Sequence, residues 1–229
     1  LSRQAVASAE RAGENEVAAN YEAGAALLEG LCGNSAAVRR RAAAALSLSS
    51  GRVAQYAAAL ALAFAGDIVR SQSLADDLGK RFPENTIMRI SYLPTIRAQL
   101  ALSRNDSSKA IEELQATVPY ELGTAAVLYP AYVRGDAYLA AHQGNQAAAE
   151  FQKILDHPGV VGNDTIGALA HLGLARAYTV EAQSARGPET EAARAKARAA
   201  YQDFFALWKD ADPDIPILIV AQSEHSKLQ

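Results

Sequence analysis

The chain has one cysteine, one methionine and one tryptophan, and aromatic residues make up only 7% of its 229 positions. With a single thiol, Cys32, no internal disulfide can form. A cytoplasmic chain fits this, and an extracytoplasmic one is not excluded, so localisation stays open. Basic charge is not in excess. The 22 Lys and Arg are outnumbered by 25 Asp and Glu, for a formal net charge of -3. The footprint of nucleic-acid binding is missing, and no nucleic-acid partner is expected. Long apolar runs are missing too. The best one, residues 53–66, is 14 residues long between Arg52 and Asp67. A membrane-spanning helix needs about 20, so this segment is expected to insert into no membrane. The chain starts at Leu1 and no signal-peptide pattern follows; the expectation is a fragment of a longer protein.

Catalytic signatures are equally scarce. The four histidines, His142, His157, His171 and His225, have no partner at metal-ligand spacing, and His-Glu-x-x-His does not occur. The glycine-containing stretch 159–167 lacks the lysine of a phosphate loop. Asp76-Asp77 and Glu112-Glu113 are sequence neighbours on helical stretches, so their side chains diverge. Arg39, Arg40 and Arg41 spread over most of a helical turn and read as a solvated face. They could also activate Cys32, or that thiol could be a small structural side chain. No metal, no cofactor and no catalytic residue is expected here.

What the chain has in abundance is alanine, 51 residues of 229. Alanine is the best helix former and a poor strand former. Helical stretches of roughly 10–20 residues alternate with breakers such as Gly33-Asn34, Gly66-Asp67, Asn105-Asp106, Gly144-Asn145 and Gly187-Pro188. The fold class expected is all-α.

The clearest unit runs over residues 128–161. Gly135 and Tyr138 are followed by the Gly144-Asn145 turn, then Ala147 and Phe151, and Pro158 closes it. This pattern resembles the tetratricopeptide (TPR) repeat, a helix–turn–helix of about 34 residues. Small residues let two helices approach, and Tyr138 and Phe151 fill the space toward the next helix. One small residue per first helix extends the frame: Gly24, Ala59, Ala98, Gly135 and Ala175, spaced 35, 39, 37 and 40 apart. Ala36, Ser71, Ala110 and Ala147 follow the first four by twelve residues. In the fifth unit Tyr178 keeps its place, while Ala197 and Tyr201 are displaced by about ten residues. The insert at 181–194 predicts two longer helices forming a protruding hairpin, with Pro188 starting the second. The result is a single solenoid domain over 1–229, with five antiparallel pairs at 14–50, 52–84, 91–121, 128–161 and 166–210. A capping helix at 215–227 follows. The cap's run Ile217, Leu218, Ile219, Val220 and Ala221 is apolar all round. It is either buried on several sides or pairs with another molecule, which would make residues 215–221 a homodimer contact.

First helices of such pairs line a concave surface. Three before each anchor stand Tyr21, Tyr56, Thr95, Tyr132 and Leu172, and one past the anchors stand Gln99, Asp136 and Arg176. Tyr92 and Tyr129, six before their anchors, join the same face. Three tyrosines in five places exceeds the overall 9 in 229. Tyrosine suits a binding surface, with large contact area and a hydroxyl; the same residues could pack between adjacent helices. Read as a groove, they imply a protein or peptide partner of unknown identity.

Residues 57–67 (AAALALAFAGD), 92–102 (YLPTIRAQLAL), 149–157 (AEFQKILDH), 167–178 (GALAHLGLARAY) and 199–216 (AAYQDFFALWKDADPDIP) carry a wider resemblance. They look like the C-terminal TPR regions of bacterial eukaryotic-type serine/threonine protein kinases and of related winged-helix regulators. The resemblance implies an upstream kinase or DNA-binding domain, and a membrane segment between would make this part extracytoplasmic. It also implies an interaction or sensor role; the alternative, a self-association module that dimerises attached kinase or DNA-binding domains, rests on the apolar last helix. The kinase motifs themselves are absent from this sequence, and the 181–194 insert is longer than the family pattern.

Overall fold

The computed structural model describes residues 2–123 and 127–228. Leu1, Thr124, Ala125, Ala126 and Gln229, which belong to the expected 1–229 domain, lie outside the described residues. Among the described residues the secondary structure is entirely helical. The chain divides into two compact units, Leu1–Arg104 and Asn105–Gln229. The boundary falls inside the 91–121 pair of the repeat frame, so its two helices belong to different units.

The first unit holds α1 (Ser2–Arg11), α2 (Asn15–Leu31), α3 (Ser35–Leu48), α4 (Arg52–Phe64), α5 (Ile68–Arg81), a π turn at Met88–Tyr92 and α6 (Leu93–Leu102). Helix α2 packs on α1, α3 and α4, and α4 packs on α5 and α6. One core cluster here is built from Ala19, Ala23, Ala45 and Ala54, with Leu48 and Ala57 against it. Alanine at the contact brings helix axes close, which accounts for part of its abundance.

One turn recurs along the chain. Gly13, Gly33, Gly66 and His142 have φ of 76, 85, 72 and 56°. The N–H of the following residue reaches back five positions, from Glu14 to the Ala9 carbonyl, Asn34 to Glu29, Asp67 to Leu62 and Gln143 to Tyr138. This is a Schellman-type close, in which a left-handed residue satisfies the last helical carbonyls. Asn34, Asp67 and Asp106 then cap the next helix, each side-chain oxygen accepting from the N–H three residues on. Gly66, Asn105 and His142 all lie seven past their anchors. The turn expected at Gly144-Asn145 is therefore at His142-Gln143, and Gly144 is the first residue of its helix. The register expected at Ala36 is also off by one. Ala36 is exposed and its neighbour Ala37 is buried, because the Asn34 cap fixes where the first turn of α3 faces.

The second unit holds α7 (Ser107–Gln115), a 3-10 turn at Val118–Tyr120, α8 (Tyr129–Ala140), α9 (Gly144–Asp156), the one-turn α10 (Pro158–Val161), α11 (Ile166–Ser184), α12 (Pro188–Leu207) and α13 (Pro216–Ser226). Helix α8 packs on α7, α9 and α11; α11 packs on α9 and α12; α13 packs on α12. Helices α11 and α12 are the longest, 19 and 20 residues. Gly187, at φ 61°, and Pro188 at the start of α12 separate them. The apolar run of α13 divides: Leu218 and Ala221 are buried, while Ile219 and Val220 are 51% and 46% exposed.

A buried charge cluster ties the 117–121 segment to α8 and α9. Arg134, 1% exposed, sits with its Nη1 2.5 Å from Glu121 Oε1 and its Nη2 2.5 Å from Glu150 Oε2. Lys153 Nζ is 3.1 Å from both glutamates. The Thr117 hydroxyl lies 2.7 Å from Glu121 and from the Leu114 carbonyl. Two cations thus meet two carboxylates. Burial works against the Glu121 charge, yet the Arg134 pairing outweighs it and holds the carboxyl below its ordinary range.

Candidate binding surface

In the first unit the side chains assigned to the inner face are brought together on α4, the π turn and α6. Tyr56 and Tyr92 stack face to face, with ring centroids 3.7 Å apart and planes 5° from parallel. Both are buried. The π turn sets this geometry. Asn85 caps it by accepting from the Met88 N–H at 3.0 Å, and the Leu93 N–H reaches back to the Met88 carbonyl. Pro94 follows, and having no N–H to place it tolerates the widened start of α6. Thr95 is buried, its hydroxyl donating to the Ser91 carbonyl at 2.7 Å. Tyr21, on α2, stands apart from this stack in its surroundings, being 48% exposed.

Four buried side-chain atoms lack a hydrogen-bond partner among the described residues: Asn20 Oδ1, Arg52 Nε, Ser91 Oγ and Gln99 Oε1. All four belong to the first unit, on α2, α4, the π turn and α6. Unsatisfied buried polar groups are rare in folded chains because each costs about 1–3 kcal/mol. Of the four, only Gln99 stands out in the sequence. Arg52 and Ser91 share a signal that could have found them, since each lies seven before its anchor, Ala59 or Ala98.

In the second unit Tyr132, Asp136 and Arg176 share an electrostatic environment. Tyr132 is buried, with its ring edge-on to Phe151 at 5.9 Å. Burial pushes the Asp136 carboxyl up from 3.8 to about 7, against the opposing pull of Arg176. Burial also disfavours the Arg176 charge, but Glu224 and the nearby Asp136 and Tyr132 hold its pKa up. Arg176 Nε lies 2.9 Å from Glu224 Oε2, and the Tyr201 hydroxyl donates to the same oxygen at 3.1 Å. Burial and the Glu224 charge push the Tyr201 phenol above its ordinary value. Glu224 is the participant that sequence reasoning missed. Its signal was helical spacing from Leu218 and Ala221, three residues each. Tyr129 makes a separate contact, donating to Asp164 at 2.9 Å.

The packing residues fall into two groups. Ala59, Ala98, Gly135, Ala147, Phe151, Ala175, Ala197 and Tyr201 are buried, and Tyr138 and Tyr178 are half-buried, with Lys196 5.4 Å above the Tyr178 ring. Gly24 is the exception among the anchors, since a Cβ there would meet nothing within 4 Å. Cys32 is an unactivated thiol. Burial and then Glu29 push it up to about 11. The nearby Arg41 is taken by Glu22 and Glu29, at 3.1 and 3.5 Å. Among the described residues, no group of three or more His, Cys, Asp and Glu side chains is placed to hold a metal ion. No described helix is long and apolar enough to cross a membrane. No family model, curated protein or solved structure matches the chain.

Asp136 gives a pH-dependent expectation. An acid whose folded pKa is raised holds its proton more tightly in the folded chain. Its ionisation costs nothing below pH 3.8 and progressively more up to about pH 7, then a constant amount. At ~1.4 kcal/mol per unit the ceiling is about 4 kcal/mol, and partial exposure brings this to about 2. Asp136→Asn should therefore be more stable than the native chain by about 2 kcal/mol at pH 8.5. The difference should shrink on acidification toward pH 4, as read by urea denaturation at each pH. Arg176 is the charge that acts on Asp136, and it and its own partner Glu224 are left unchanged. Equal stability of the two chains at pH 8.5 would contradict the burial cost.

Proposed function

We propose that this chain is a non-catalytic helical-repeat scaffold whose inner helices bind a protein or peptide. We place it as the TPR-type interaction region of a bacterial serine/threonine kinase-like signalling protein. The observation that carries the binding role is the set of unsatisfied atoms on Asn20, Arg52, Ser91 and Gln99, in the same unit as the Tyr56–Tyr92 stack. They combine side-chain acceptors, a guanidinium donor and a hydroxyl that can do both. An extended peptide main chain offers the complementary alternation of N–H and C=O. Asn20, Arg52 and Gln99 are only half-buried as residues, so their side chains can turn toward such a ligand. The kinase context rests on the sequence resemblance alone.

A random peptide library selected against the native chain tests this reading. Enriched peptides should bind about tenfold or more weakly to Arg52→Ala and to Gln99→Ala, as usual when a binding anchor is truncated. Circular dichroism should be unchanged. No enrichment, or peptides that ignore both changes, would sink the proposal.

The exposure of Ile219 and Val220 on α13 favours a second reading, in which the segment self-associates and joins attached domains. Under that reading the native chain sediments as a dimer and Ile219→Lys as a monomer. A strictly monomeric native chain at high concentration eliminates it.

A further inference from the structure

A second surface in the first unit has a different chemistry. A cleft of about 510 Å3 opens where α5 meets the π turn and α6. Its apolar floor is the buried Leu93 and Ala75, with the half-buried Phe82 and the exposed Pro83 also lining the cleft. Three exposed cations, Lys80, Arg89 and Arg97, stand on its rim against one lining carboxylate, Asp76. That carboxylate already accepts from Gln72 at 3.0 Å. Lys80 also feels Asp77, but Asp77 is held by Gln55 at 2.7 Å and Arg81 at 3.1 Å. None of the three rim cations has an ion-pair partner within 4.0 Å among the described residues. The local excess is therefore positive on a chain whose net charge is -3.

We propose that the cleft between α5 and α6 docks an acidic protein segment carrying an apolar anchor side chain among its carboxylates. The rim supplies charge complementarity, which steers encounter and sets specificity. The floor supplies a place where an apolar side chain leaves water. Nucleic acid fits less well, because the floor offers it nothing to pair with and the chain as a whole is acidic. The cleft shares the π turn and α6 with the inner face but is lined by none of the residues proposed to bind there. The Arg52→Ala variant that weakens library peptides leaves binding here unchanged, so the two proposals fail independently.

The test uses a fluorescein-labelled peptide of alternating Glu and Leu, titrated with the native chain and followed by anisotropy. Lys80→Glu/Arg97→Glu should weaken binding about tenfold or more, and added salt should weaken binding to the native chain. Lys209→Glu/Lys227→Glu, which changes net charge equally, should shift the affinity by about twofold or less. Circular dichroism reports whether the reversed-charge chains remain folded. A Glu–Gly peptide that binds as tightly would remove the role of the floor. A single-stranded DNA oligonucleotide that binds more tightly would reassign the surface to nucleic acid. An equal loss in the control pair, or no binding of the Glu–Leu peptide, would overturn the proposal.

Discussion

Replacing Arg134 by alanine is expected to cost about 3–5 kcal/mol of stability, the usual penalty for stranding one partner of a buried ion pair. Glu121 is as deeply covered as Arg134, and its two oxygens receive Arg134 at 2.5 and 3.0 Å. Lys153 reaches the cluster from a more open position, so it cannot replace a cation 1% exposed. Urea denaturation should show a lower midpoint. The pH dependence should also change sign. In the native chain the Glu121 pKa lies below 4.5, so its pairing stabilises above that pH and is lost as pH falls through the lowered value. In Arg134→Ala the buried carboxyl has lost its main partner, and burial, the largest single influence on it, is expected to outweigh the remaining Lys153 and Thr117 contacts and raise its pKa, so mild acid should stabilise that variant. Adding Glu121→Gln should recover part of the loss. A variant within about 1 kcal/mol of native stability would mean that the cluster is not closed in solution.

The second large effect centres on Phe151. Its ring is clasped between two helices that both present glycine. A Cβ on Gly173 of α11 would lie 2.5 Å from the ring, and one on Gly135 of α8 would lie 2.7 Å from it. The ring cannot retreat from one side without striking the other. Phe151→Ala should cost about 3–5 kcal/mol by leaving a cavity between α8, α9 and α11. Gly173→Ala should cost about 1–3 kcal/mol by overpacking, despite alanine's better helix propensity. The two changes share one space, so they should not add. Phe151→Leu should partly relieve Gly173→Ala, giving a coupling energy of about 1 kcal/mol in a thermal or urea double-mutant cycle. Strict additivity would show that the ring has room to move.

These two sites differ in how far they could be read from sequence. Phe151 and Gly135 stand out because a helix-pair frame gives each a fixed offset and a physical role. Gly173 stands two before the fifth anchor, and nothing in the frame marks it. Arg134 carries no pattern, since its partners Glu121 and Glu150 come from a loop and from the next helix at unrelated spacings. The turns are legible as breakers, yet one lies two residues before its Gly-Asn breaker. Gly144 attracted the turn reading, while His142 holds the left-handed position. Helical periodicity says which residues share a face but not what covers that face. The inner tyrosines illustrate this, since Tyr56 and Tyr92 largely cover each other and Tyr21 stays open. Polar atoms left without partners, such as Ser91 Oγ, emerge only when every neighbour is placed.

The lone cysteine has a practical consequence. With its thiol pushed up to about 11, Cys32 is thiolate in roughly one molecule in ten thousand at pH 7. A maleimide reagent should therefore pass it over in favour of any cysteine introduced on an exposed helix face. Probes for distance or environment can then be attached at chosen sites with the native thiol left in place.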